Sequence, residues 1–83
     1  MVTLLYFAGL RETLGTSREQ LAWEKGATVA VLVDELRNRD GLWSETFAPG
    51  KSWRVAVNQQ MANLATPVKP GDEIAFFPPV TGG

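Results

Sequence analysis

Glu73-Ile74-Ala75-Phe76-Phe77-Pro78-Pro79-Val80-Thr81-Gly82-Gly83 joins an apolar run to a proline stop and a glycine tail. Residues 73 to 77 are apolar and aromatic after one acid, the pattern of a strand packed on a core. Pro79 holds Pro78 extended, and neither proline can donate to a ladder, so the strand stops at Phe77. With side chains alternating, Ile74 and Phe76 face inward and Ala75 and Phe77 face out. No charged side chain follows Glu73. The segment is therefore expected to end in a single charge, the Gly83 carboxylate, which ionises near pH ~3.5. A frayed end is the alternative, since glycine and proline are common in disordered termini. The apolar strand running straight into the tail favours a group held out for use.

Near the other end, Val2 to Ala8 is a second apolar run with β-branched and aromatic residues, and it reads as a buried strand. Gly9 to Gly15 reads as a helical turn in which Leu10 and Leu14 share a face and Gly15 takes the left-handed end position. Ser17 to Glu24 reads as a polar edge strand with Leu21 and Trp23 on one side. Lys25-Gly26-Ala27 is a turn. Thr28 offers its hydroxyl as the N-cap of the main helix, which runs from Val29 to about Arg39. Val29, Leu32, Val33 and Leu36 form its apolar stripe, and Arg37 and Arg39 suit the negative end of its dipole.

Asp40 to Lys51 reads as a loop in which Leu42, Trp43 and Phe47 allow one helical turn over the core. Trp53 to Val57 alternates and reads as a strand. Asn58-Gln59-Gln60 turns into a short partner strand starting at Met61. Val68 to Asp72 is a second turn, with Pro70 and Gly71 adjacent. A mixed sheet of about five strands wrapped over one helix buries that single stripe, with the first and last strands central and some parallel pairing. This is an α+β, ubiquitin-like β-grasp, with a β-grasp domain over residues 1–77 and an extended tail over 78–83.

Composition narrows the function. At 83 residues the chain is one domain with a small core. Net charge is −1 and no basic run occurs, so nucleic acid is not expected as a partner. Histidine and cysteine are both absent. This removes the usual zinc sites, Ser-His and Cys-His nucleophiles and a histidine base. No bound cofactor or metal is expected, and the chain should take part in chemistry as substrate, carrier or subunit. No signal peptide is expected, because the first basic residue, Arg11, follows the apolar run. No apolar run suits a membrane span, so no membrane partner is expected and the cytoplasm is the expected compartment.

Three motifs carry a resemblance over the whole chain. They are Phe7-Ala8-Gly9-Leu10-Arg11-Glu12-Thr13-Leu14-Gly15, then Val57-Asn58-Gln59, then Gly71-Asp72-Glu73 continuing to Gly83. In this order they resemble the small subunits of molybdopterin synthase, the ubiquitin-like sulfur carriers of molybdenum cofactor synthesis. The resemblance implies that a ubiquitin-activating-like adenylyltransferase uses ATP to adenylate the Gly83 carboxylate. A persulfide donor then converts it to a thiocarboxylate. The tail next enters the large subunit of molybdopterin synthase and gives sulfur to cyclic pyranopterin monophosphate, two carriers serving each pterin. The chain would be the non-catalytic, sulfur-carrying subunit of a sulfurtransferase, in a heterotetramer.

The residues suit that cycle. Gly83 is the reacting residue, and Gly82 leaves its carbonyl unhindered and free in torsion. Pro78, Pro79, Val80, Thr81, Gly82 and Gly83 reach at most ~20 Å at ~3.3–3.6 Å per residue, enough to enter a buried site. Phe77, with Pro78, Pro79 and Val80, makes an apolar docking patch that Met61 extends and Arg11 rims. The alternative is that Phe77 packs on its own tail and Met61 belongs to the core. Two other functions stay open: a carrier for another sulfur product such as thiazole or a thiolated nucleoside, and a ubiquitin-like protein modifier.

Overall fold

The computed structural model describes residues 1–23 and 27–79. The turn expected at Lys25-Gly26, the end of the second strand at Glu24, and the tail residues Val80, Thr81, Gly82 and Gly83 lie outside the described residues. The elements run in the order β1 (Val2–Tyr6), α1 (Ala8–Leu14), β2 (Arg18–Leu21), β3 (Ala27–Thr28), α2 (Val29–Arg37), α3 (Leu42–Thr46), β4 (Arg54–Val57), β5 (Gln60–Ala62), β6 (Pro67–Val68) and β7 (Glu73–Phe77).

Five strands form one mixed sheet in the order β2-β1-β7-β4-β5. β1 and β7 pair in parallel, Leu4 opposite Ile74 and Tyr6 opposite Phe76. The flanking pairs, β1 with β2 and β7 with β4, are antiparallel. The two most apolar strands thus share the interior, where both edges of each are paired. β3 and β6 make a separate two-stranded ladder of Ala27–Thr28 with Pro67–Val68, so Ala27 and Val68, both expected in turns, are paired strand residues.

One face of the sheet and the stripe of α2 enclose the core. Leu4, Tyr6, Ile74 and Phe76 face Val29, Leu32, Val33 and Leu36, all buried. Phe47, just past α3, fills the centre, with ring centroids 5.2 Å from Phe76 and 5.6 Å from Trp53. Trp23 is buried and donates its indole N–H to the Val68 carbonyl at 3.1 Å, which fastens the end of the first hairpin to β6. Gly15, at φ +75°, ends α1 in the left-handed form its position requires.

Three local expectations are corrected. Thr28 occupies the N-cap position of α2, yet its hydroxyl makes no cap hydrogen bond. The first helical N–H groups of Val29 and Ala30 donate instead to the carbonyls of Thr66 and Leu64, at 2.9 and 3.0 Å. A turn whose own side-chain bonds, Ala65 N–H to Asn63 Oδ1 and Asn63 N–H to Thr66 Oγ1, lock its shape presents those carbonyls. α2 also ends at Arg37 rather than Arg39. Arg39 turns back to grip Glu19 through two nitrogens, at 2.8 and 2.9 Å, with its guanidinium 4.4 Å from the Trp43 ring centroid. Finally, Gln60 lies in β5, so the hairpin turn shortens to Asn58 and Gln59, at φ 51° and 69°. Two left-handed residues give the twist that a two-residue hairpin needs.

Candidate functional site

The helices cover one face of the sheet, and the strand register defines the other. Arg18 lies opposite Leu5, Leu5 opposite Ala75, Ala75 opposite Ala56, and Ala56 opposite Met61. This outward row crosses all five strands. In the next row toward the tail, Arg54 lies opposite Phe77. Phe7 follows Tyr6 and donates its N–H to the Phe76 carbonyl, so it ends the outward parity begun by Thr3 and Leu5. Phe7 is 46% exposed and Met61 61%. The result is an apolar strip of Leu5, Phe7, Ala75, Phe77 and Met61 on the side away from α2.

The expected site residues fall as follows. Phe77 is half-buried rather than exposed, since β7 is central and Arg54 lies across from it. Met61 is on the surface and not in the core, because parity puts it outward while Gln60 and Ala62 pair on the other side. Arg11 is exposed on α1, which begins where β1 ends. β1 and β7 being parallel, α1 stands at the end of the sheet where β7 leaves it. Pro78 and Pro79 are half-buried there. Pro79 lines an open groove of about 460 Å³ together with Lys51, Trp53, Arg54, Met61 and Leu64. The root of the tail therefore lies beside the apolar strip. Val80, Thr81, Gly82 and Gly83 lie outside the described residues.

Phe7 and Leu5 were missed in reading the sequence, although the signal was present. Once Leu4 and Tyr6 are read as inward, Leu5 and Phe7 must face out. Leu64, 50% exposed, could not be found this way, because it sits in an irregular turn without parity.

The ionisable groups that are strongly perturbed brace the scaffold. Tyr6 donates to Glu19 at 2.9 Å, and burial with that carboxylate beside it pushes the phenol well above its ordinary range. The Arg39 hydrogen bonds hold the Glu19 carboxyl below its ordinary value, with the Tyr6 bond adding to them and burial opposing. At the opposite end, Asn58 donates to Asp72 at 2.9 Å and accepts from the Glu73 N–H, tying the hairpin to the start of β7. That bond first, and the Lys69 N–H second, lower the Asp72 carboxyl. The first network lies on the helix side of the sheet and the second at the start of β7, so neither is on the outward face. Among the described residues no group of three metal-ligating side chains converges. No described helix is long and apolar enough to cross a membrane. The surface can present and dock a chain end, and its described side chains include no tuned acid or base there.

Five strands in the order β2-β1-β7-β4-β5 over one helix, with the chain leaving the central strand, define a ubiquitin-like β-grasp. The ThiS family model matches residues 4–83, and the chain belongs to that family. The molybdopterin synthase sulfur carrier subunit of Haemophilus influenzae is 42% identical over 83 residues, covering 100% of both chains. Among solved structures, SAMP1 of Haloferax volcanii, a small archaeal modifier protein, superposes with a TM-score of 0.78 at 30% identity, covering 99% of this chain and 98% of that one. A complex of subunits 1 and 2 of the molybdopterin-converting factor of Helicobacter pylori has a chain matching with a TM-score of 0.64 at 28% identity, covering 99% of this chain and 97% of that one.

Proposed function

We propose that this chain is the sulfur carrier subunit of molybdopterin synthase, with the Gly83 carboxylate as its working group. The observation that carries the reading is full-length similarity, at 42% identity, to a carrier subunit of that name. In the proposed cycle a Gly83 carboxylate oxygen attacks the α-phosphorus of ATP on an adenylyltransferase and pyrophosphate leaves. A persulfide sulfur then attacks the acyl carbon and AMP leaves. Thiol cleavage of the resulting S–S bond leaves a thiocarboxylate. The carrier docks through its open sheet face, with Phe77 and Met61 as apolar anchors and Arg11 at the rim. Pro78, Pro79, Val80 and Thr81 then lead Gly82 and Gly83 into the large subunit, where sulfur passes to cyclic pyranopterin monophosphate. Its role in the sulfurtransferase is to carry, and the catalytic groups belong to its partners.

The absence of His and Cys supports that division, because neither a histidine base nor a cysteine thiolate is available on this chain. Intact mass of the chain from its native cell should show a gain of ~16 Da, one oxygen exchanged for sulfur. The thiocarboxylate form, given to the large subunit with the pterin precursor, should yield dithiolene. No dithiolene would sink the reading. Deletion of Gly83 should abolish transfer and leave the melting temperature unchanged, because the described core closes at Phe76.

A second reading has its own support in the 30% identity to SAMP1 of Haloferax volcanii. As a modifier, the same acyl-adenylate would pass to lysines of target proteins. Lysine-linked conjugates with no +16 Da species would favour it.

A further inference from the structure

Five arginines occur in the chain, at 11, 18, 37, 39 and 54. Two are occupied inside the fold, Arg37 with Asp34 and Arg39 with Glu19, each pair at 2.8 Å. No ion pair joins Arg18 or Arg54 to a carboxylate among the described residues, and both are exposed. Both belong to the outward face of the sheet, Arg18 opposite Leu5 on edge strand β2 and Arg54 opposite Phe77 on β4. β2 and β4 are three strand spacings apart and Arg54 sits one row nearer the tail, so the two arginines stand about 16 Å from each other, with Leu5, Ala75 and Phe77 between them.

Most of the described acids lie elsewhere, with Glu12 exposed on α1 at the end of the sheet and Asp72 just before β7. Asp34, Glu35, Asp40 and Glu45 are exposed on or beside α2 and α3, on the covered side of the sheet. Of the outward-facing strand residues only Glu73 is acidic, and it sits at the end of β7 away from the tail. In a chain of net charge −1, the described outward strand residues thus carry two arginines against one acid.

We propose that Arg18 and Arg54 determine partner choice and orientation, each facing a carboxylate on the large subunit that receives the tail. The proposal rests on the docking reading above and adds the charge pattern of the receiving surface: apolar centre, acid at two points of the rim. Charges on an interface rim act on encounter rate and orientation more than on lifetime. At physiological salt the Debye length is about 8 Å, shorter than the separation of the two arginines, so the two act independently and their effects multiply. Glu73 sharpens the orientation, because a docking carboxylate set near it is repelled. Arg54 neighbours the root of the tail, and Arg18 marks the far side of the strip, so two matched acids fix the rotation of the carrier above the entry to the partner's site.

The test measures association of the full chain with the large subunit from the same source, from about 0.05 to 0.5 M salt. Arg18→Glu and Arg54→Glu should each slow association about five-fold at low salt, the double variant about twenty-five-fold, and the differences should close at high salt. Lys69→Glu, with the same change in net charge at the opposite end of β7, should leave the rate within about two-fold. Arg18→Gln and Arg54→Gln should fall between, and unchanged melting temperatures show that the variants fold. Equal rates and equal salt slopes for the unmodified chain and both reversals would overturn the proposal while the docking reading stands. Slowing by Lys69→Glu to the same degree would overturn it too, in favour of net charge alone. If the unmodified chain does not bind at low salt, the docking reading itself falls.

Discussion

The phenolic hydroxyl of Tyr6 donates a 2.9 Å hydrogen bond to the Glu19 carboxylate, which Arg39 grips from the other side. One acid thus joins β1, β2 and the segment after α2. Glu19→Gln should cost about 1–3 kcal/mol, since both bonds lose their charge and Arg39 loses its counter-ion. Urea unfolding measures it, and a loss within error would show the network to be ornamental to stability.

The same carboxylate sets an acid limb. Its folded value lies below the ordinary one, chiefly through Arg39. A depressed carboxyl contributes stability that is full above its unfolded value, near ~4.3, and is lost as pH falls through the folded value. Stability should therefore fall on acidification from about pH 5 downward, and less steeply in Glu19→Gln.

Tyr6 sets an alkaline limb of opposite sign. Burial first, then the Glu19 bond, raise its phenol. A raised group contributes stability that is full below its unfolded value, near ~10, and is lost as pH rises toward the folded one. Tyr6→Phe should cost about 0.5–1.5 kcal/mol at neutral pH and flatten the decline above pH ~10. An alkaline slope unchanged in Tyr6→Phe would assign it to other groups.

At Thr28 the hydroxyl does no capping. Thr28→Ala should cost less than about 0.5 kcal/mol, against the ~1 kcal/mol usual for losing an N-cap side chain. A full cap penalty would mean that the carbonyls of Thr66 and Leu64 do not suffice.

Asn58 combines a left-handed backbone, φ 51°, with two side-chain hydrogen bonds to Asp72 and the Glu73 N–H. Asn58→Ala should lose about 2 kcal/mol or more, and Asn58→Gly should recover about 1 kcal/mol of that by relieving φ. Equal losses in both would locate the whole effect in the hydrogen bonds.

Phe76 and Phe77 are neighbours with opposite tasks. Phe76 is buried between Tyr6, Phe47 and Trp53, and Phe76→Ala should cost about 3–5 kcal/mol, a large part of a small domain's stability. Phe77→Ala should cost about 1 kcal/mol and weaken large-subunit binding ten-fold or more. Met61→Ala should leave stability within about 0.5 kcal/mol and weaken the same binding. Several kcal/mol lost in Phe77→Ala would make it a core residue.

Much of the fold was legible in residues 2–8, 29–36 and 73–77, because alternation and helical spacing are properties of a short window. The limits of β7, the stripe of α2 and the left-handed Gly15 follow from such windows. The pairing of Ala27–Thr28 with Pro67–Val68 did not, because two-residue strands carry no period. The partner of Arg39 was equally hidden: helix-end chemistry suggested the dipole, while its carboxylate lies 20 residues earlier in the chain.

Most element types and the inward faces followed from short windows of the sequence, since each depends on near neighbours, and composition alone showed that histidine and cysteine are missing. The sequence also carried the ending from Gly71 to Gly83 that relates the chain to sulfur carriers. Tertiary structure decided what caps α2, that Met61 is on the surface, and that Arg18, Leu5, Ala75, Ala56 and Met61 form one row beside the root of the tail. That row draws on residues 5 to 75, and only strand register, set by hydrogen bonds between distant segments, brings them to a common face.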